Sequence, residues 1–180
     1  MQKKESLPFW KKEVQNGKIN KHQLMEEDKL IKELLKSSKT IAMVGVSSVK
    51  KENTSNVVRR PSIIVMSYLQ EFGYNVIPVN PFSAGKKING VTVLEKLEDI
   101  DKPIDIVNVF RPSKETPIIA NDAVKVGTKV FWLQYGIENQ EAQKIVKSAN
   151  IAYIANKCIK QEYQRLFLKM SPVFPALKTD

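Results

Sequence analysis

From residue 40 to residue 170 the chain alternates short apolar runs with segments of helical periodicity, and this leaves few folds open. The apolar runs fall at 40–46, 75–79, 104–110, 130–133 and 151–154. They are short and nearly continuous, as expected of strands buried on both faces. Between them, 62–72 places Ile64, Val65, Tyr68, Leu69 and Phe72 on one helical face, and 138–149 does the same with Ala142, Ile145, Val146 and Ala149. The stops agree: Gly73 follows the first of these helices, Thr116-Pro117 opens another and Gly127 closes it. Strands joined by helices run parallel, and the helices cover both faces of the sheet. The expected fold class is α/β: a Rossmann-like, doubly wound, mostly parallel five-stranded sheet in three layers. Further helices are expected at 21–36, capped by Asn20, near 93–99, and at 159–170.

Length divides the chain simply. At 180 residues a single core accounts for most of it. The reading is a basic N-terminal arm over 1–25, one Rossmann-like domain over 26–170 and a tail over 171–180. One Cys and one His exclude a disulfide framework, a multi-Cys zinc site and the two-His metal motif, so no metal site is expected. No apolar run reaches membrane-spanning length, and the first residues lack a signal-peptide core. The expectation is therefore a cytoplasmic protein with no membrane partner. The net charge is +10, but unevenly spread. Residues 1–60 carry 14 basic against 7 acidic side chains, 61–140 carry 8 against 9, and 141–180 carry 7 against 3. The excess at the ends fits either solvated faces or attraction of an anion.

In a doubly wound sheet the ligand lies at the carboxyl ends of the strands, where the strand order reverses. The loops after Val44, Val79 and Val109 converge there. The first begins Gly45-Val46-Ser47-Ser48. Gly45 permits close backbone approach, the two serines supply hydroxyls, and the following helix starts near Ser62 behind Arg59 and Arg60. Helix-terminal amides and arginines both suit phosphate oxygens. The turn has only one of the three glycines of a dinucleotide fingerprint. The second strand ends Val79-Asn80-Pro81 where an NAD site places an acid for the ribose. NAD is disfavoured, and a ligand with an additional phosphate, NADP or coenzyme A, stays open.

Six strings occur in order: VGVS (44–47), RPS (60–62), GYNVIPVNP (73–81), DIVNVFRPS (105–113), WLQYGIEN (132–139) and NKCIKQEYQRL (156–166). Together they resemble the stand-alone CoA-binding proteins, similar to the CoA-binding Rossmann domain of the succinyl-CoA synthetase alpha subunit, over roughly residues 30–168. The resemblance implies a coenzyme A or acyl-CoA ligand. By position, Gly45, Val46, Ser47 and Ser48 would form the phosphate loop, with Arg60 and Ser62 supporting the phosphates at the helix start. Asn80 and Pro81 would line the floor of the nucleotide site, Phe110 and Arg111 would flank it, and Gln134 and Gly136 would close its far side. The chain departs from the family pattern by an insertion around 50–57. It also has Asn108 and Asn156 where Asp is common, Lys114 where an acid is common and Tyr163 where His is common.

No catalytic residue is expected. His22 lies among polar residues of the first helix, and no activated nucleophile pair is visible. Cys158 precedes the last helix, where helix-end amides lower a thiol pKa, although a small buried residue is the commoner role. Glu115, Glu141 and Glu162 read as surface or capping carboxylates, and Trp132 as core. The function expected is a CoA-binding module without turnover. Two alternatives stand beside it: an NADP-dependent oxidoreductase using Lys86, Lys87 and Arg111, and a nucleic-acid binder using Phe9 and Trp10 among the lysines of the arm. The apolar tail residues Val173, Phe174 and Leu177 suggest a homodimer.

Overall fold

The computed structural model describes residues 21–47 and 61–170. The chain divides into two compact units, residues 1–36 and 37–180. In the first, helix α1 (Lys21–Ser37) carries the periodicity of Leu24, Ile31, Leu34 and Leu35. The arm ahead of it, with Phe9, Trp10 and Asn20, lies outside the described residues. So does the tail with Val173, Phe174 and Leu177.

The second unit is the alternating structure. Its elements are β1 (Thr40–Val44), α2 (Pro61–Glu71), β2 (Asn75–Val79), a hairpin of β3 (Lys87–Ile88) and β4 (Val91–Thr92), then β5 (Ile106–Val109), α3 (Thr116–Lys125), β6 (Val130–Leu133), α4 (Gln140–Ser148), β7 (Ala152–Ile154) and α5 (Ile159–Phe167). Five strands form one parallel sheet in the order β2-β1-β5-β6-β7. The chain steps outward from β1 to β2, then returns to the other side of β1 and runs outward again. Right-handed crossovers therefore place α2 on one face and α3 and α4 on the other. The packing agrees, since α3 lies against α4 and α2 against α5. The result is the Rossmann-like, three-layered architecture expected.

Side chains alternate across the sheet. One face gives Ala42, Val107, Val109, Phe131 and Leu133 to a core completed by Ala120 and Ala123 of α3 and Ala142 and Val146 of α4. The alanines allow these two helices to sit close to the strands. The other face presents Ile41, Met43, Ile106 and Trp132, all fully buried. Each large apolar side chain removed from water in this way contributes about 1.5–3 kcal/mol. The indole N–H of Trp132 still finds a partner, the Lys157 carbonyl at 2.7 Å.

A single acid ties the amino ends of three strands. Asp105, just before β5, accepts the Lys39 amide at 2.8 Å and the Thr40 amide at 3.0 Å on Oδ2. Its Oδ1 accepts Lys129 Nζ at 2.7 Å. Its carbonyl accepts the amide of Val130 at 3.0 Å and the Thr128 hydroxyl at 3.0 Å. Register is thus set from the start of β1 through β5 to β6.

Three local expectations shift. The helix expected near 93–99 is only a 3-10 turn, Leu97–Asp99, because Val93 and Leu94 are drawn out along β2 by Leu94 N–H bonding to Pro78 O at 3.0 Å. The connection after β2 contains the β3–β4 hairpin, turned on Asn89 and Gly90 with φ of 49° and 79°. The last helix stops at Phe167, and Lys169 takes φ 54°.

Burial alone would raise the Asp105 carboxyl, but the hydrogen bonds from Lys129, Thr40 and Lys39 outweigh it and hold the group below the usual carboxylate range. A carboxyl lowered by folding stabilises above its unfolded pKa of about 4, and that stabilisation disappears as pH falls through the folded value. Asp105→Ala is expected to cost about 2–3 kcal/mol at pH 7, since it strands buried amides. In urea unfolding the gap between wild type and variant should narrow steadily below pH 4. A gap independent of pH would contradict this role.

Candidate functional site

The strand order reverses between β1 and β5, so the chain leaves the sheet in opposite directions there and opens a crevice. The ladder runs to its lip: Gly45 N–H bonds to Val79 O at 2.9 Å and Phe110 N–H to Val44 O at 2.8 Å. Above these bonds lies a cleft of about 320 Å³. Val44, Val79, Leu97 and Ile119 give it apolar lining. Gly45, Asn80, Pro81 and Phe82 line it from the ends of β1 and β2. Glu95, Lys96, Arg111, Glu115 and Asp122 supply the charged lining.

Two residues fix the geometry. Gly45 takes φ +91°, and a Cβ there would lie 2.7 Å from Arg111 Cδ and 2.9 Å from Phe110 O. Only glycine allows both the backbone angle and the crossing of the third-strand loop. Asn80, 5% exposed, joins two loops. Its Nδ2 donates to Val46 O at 2.9 Å, and its Oδ1 accepts the Phe82 amide at 3.0 Å. That second bond caps the 3-10 turn Pro81–Ser83.

Arg111 crosses over Gly45 and bonds through Nε to Glu115 Oε2 at 2.8 Å, one helical turn on. Both side chains are about one-third exposed, so the pair adds positioning more than stability. Asp122 is held by Lys125 Nζ at 2.6 Å.

Among the residues singled out from sequence, Gly45, Asn80, Pro81 and Arg111 meet at this cleft. Val46 is fully buried, and Ser47 is half-buried at the end of the described loop. Ser62 is buried in the first turn of α2. Phe110 is half-buried, its carbonyl against Gly45. Gln134 is buried and bonded through Nε2 to Asn108 Oδ1 at 2.7 Å. The exposed Gly136 donates its amide to Asn156 Oδ1 at 2.7 Å. Neither Gln134 nor Gly136 is among the residues that line the cleft. Ser48, Arg59 and Arg60 lie outside the described residues.

The sequence reading missed Phe82, Glu95, Lys96 and Asp122, and it read Glu115 as a surface or capping carboxylate. Signals existed for two of these. Glu115 stands four residues after Arg111, the spacing of a facing pair, and Phe82 directly follows Asn80-Pro81.

The other candidates have structural partners. His22 is exposed on α1. Trp132 is core. Glu162 pairs with Arg165 at 2.6 Å. Burial pushes the Cys158 thiol up, against the weaker pull of amides at the start of α5. A thiol raised in this way is a poor nucleophile at neutral pH. Tyr163 lies in an aromatic cluster, 4.7 Å from Phe72 and 4.6 Å from Phe167 between ring centres.

The model of the family described as "CoA binding domain" matches residues 39–164. The uncharacterized protein YneT of Bacillus subtilis is 40% identical over 130 residues, 72% of this chain and 89% of that one. A hypothetical protein from Pyrococcus horikoshii OT3 superposes with a TM-score of 0.69 at 37% identity, covering 77% of this chain and 91% of the other. A dinucleotide-forming acetyl-coenzyme A synthetase 1 from Ca. Korarchaeum cryptofilum shares the fold, with TM-score 0.51, 21% identity and coverage of 66% and 26%. Among the described residues no helix is long and apolar enough to cross a membrane.

Two substitutions test the frame of the cleft. Gly45→Ala meets both a positive φ and a clash, and is expected to destabilise by about 1–3 kcal/mol. Asn80→Asp keeps the acceptor for Phe82 but turns a carboxylate toward Val46 O, at a cost of about 1–3 kcal/mol. Chemical denaturation measures both, and stabilities equal to wild type would remove the roles assigned to these residues.

Proposed function

The chain belongs to the CoA-binding domain family, and from that premise we propose that it binds coenzyme A or an acyl-CoA at the cleft between β1 and β5 as a module without turnover of its own. The observation that carries this reading is the convergence of Gly45, Asn80, Pro81 and Arg111 on one cleft at the reversal of the sheet.

The physical support is electrostatic. The helix that follows β1 in the chain, α2, is eleven residues long, and the first-turn amides and dipole of such a helix favour an anion. Arg111 commits Nε to Glu115, and a guanidinium carries further N–H donors that suit phosphate. Arg111 would hold a phosphate at the lip of the cleft, while Asn80 keeps the first and second loops at fixed spacing. In this reading the residues bind and orient the ligand. The Cys158 thiol, raised by burial, takes no part.

Calorimetric titration tests the proposal, with CoA, acetyl-CoA and NADPH compared at moderate salt. CoA or acetyl-CoA is expected to saturate. Arg111→Ala should weaken that binding roughly tenfold, the equivalent of about 1.4 kcal/mol for one charged hydrogen bond. Saturable binding of NADPH with none of CoA or acetyl-CoA would replace this reading with the dinucleotide one.

A further inference from the structure

The aromatic cluster of α2 and α5 contributes no residue to the cleft. Tyr68 and Phe72 stand four residues apart and share one side of α2 and its end. Tyr163 and Phe167 stand four apart on α5. The two rows meet, with ring centres 4.7 Å apart for Tyr68 and Phe72, 4.7 Å for Phe72 and Tyr163, and 4.6 Å for Tyr163 and Phe167. This face reaches water. Ile64 and Phe72 on its α2 side, and Leu168 and Met170 beyond the end of α5, are each between 38% and 48% exposed.

The chain supplies what fits such a face. Within two residues of Phe167 the backbone turns off the helix axis, since Lys169 takes φ 54° and the Met170 amide reaches back to Gln164 O at 3.2 Å. Residues 171–177 then read Ser-Pro-Val-Phe-Pro-Ala-Leu, without a charge. Pro172 and Pro175 stand three apart, the PxxP spacing of segments that dock in polyproline II form on aromatic-lined grooves. At about 3.1 Å per residue these seven residues span about 22 Å. The nine residues of α5 rise only about 14 Å. A segment joined directly to the face also meets it at an effective concentration on the order of millimolar, which a separate partner does not match.

We propose that residues 171–177 dock in polyproline II form on the aromatic face of α2 and α5 of their own chain, with Phe174 as the anchor and Phe72 within its footprint. The inference is independent of what the cleft binds.

The full chain carries the test. Urea unfolding compares wild type, Phe72→Ala, Phe174→Ala and the double variant. Phe174→Ala is expected to lower the midpoint by about 0.5 M in the wild-type background and to leave it unchanged beside Phe72→Ala, the non-additivity of residues in contact. Equal losses in both backgrounds, or none in either, would overturn the proposal. A second measurement does not depend on stability. With p-benzoylphenylalanine in place of Phe174, irradiation should join position 174 to a peptide of α2 or α5 in a product of monomer mass. Crosslinks found only at dimer mass would give the face to a second copy. Crosslinks to other elements, or none, would show that the segment does not occupy it. Either result overturns the assignment.

Discussion

The Asp105 carboxylate sets the level of the central strands. It holds the amides that begin β1 with one oxygen and the Lys129 ammonium before β6 with the other, and it stands at the start of β5. Parallel strands have no tight turn to fix their pairing, so an anchor at the amino end determines where they finish. β1 and β5 therefore end together at Val44 and Val109, and their neighbours' loops rise from one plane. The cleft is a consequence of that alignment. A slip of one residue would turn Val44 away from the cleft and put Gly45 out of reach of Arg111.

The architecture was legible because its signals are long and mutually consistent. Alternating buried strands and amphipathic helices admit one arrangement, and Gly73, Thr116-Pro117 and Gly127 mark its breaks. The cleft was legible only in part. Gly45, Asn80, Pro81 and Arg111 stand at strand ends, where topology alone predicts ligand contact. Glu95 and Asp122 reach the cleft from an irregular connection and from within a helix, positions no periodicity distinguishes from a solvated face. Gln134 sits one residue past the β6 strand, and its Nε2 donates to the buried Asn108. The β3–β4 hairpin was signalled by Asn89-Gly90, the pair best suited to a tight turn with positive φ at both positions. Its two-residue strands are too short to show alternation.

Departures from the family pattern have local reasons. Tyr163 is packed among Tyr68, Phe72, Tyr74 and Phe167. Burial there, helped by Tyr163, pushes the Tyr74 hydroxyl up to about 12, so the Tyr74 ring acts as neutral packing at any ordinary pH. Asn108 is wholly buried with Nδ2 unpartnered. A carboxylate at that depth would carry a larger desolvation penalty than the amide does.

Asn80 and Phe82 divide the cleft into parts that evolution can treat separately. An amide of that length offers a donor and an acceptor at once, and Asn80 uses both, one on each loop. Few replacements satisfy two such demands, so position 80 has little room for drift. Phe82 is secured through its main chain, and its side chain is largely exposed. Position 82 can therefore accept other side chains at little cost to the frame that presents it.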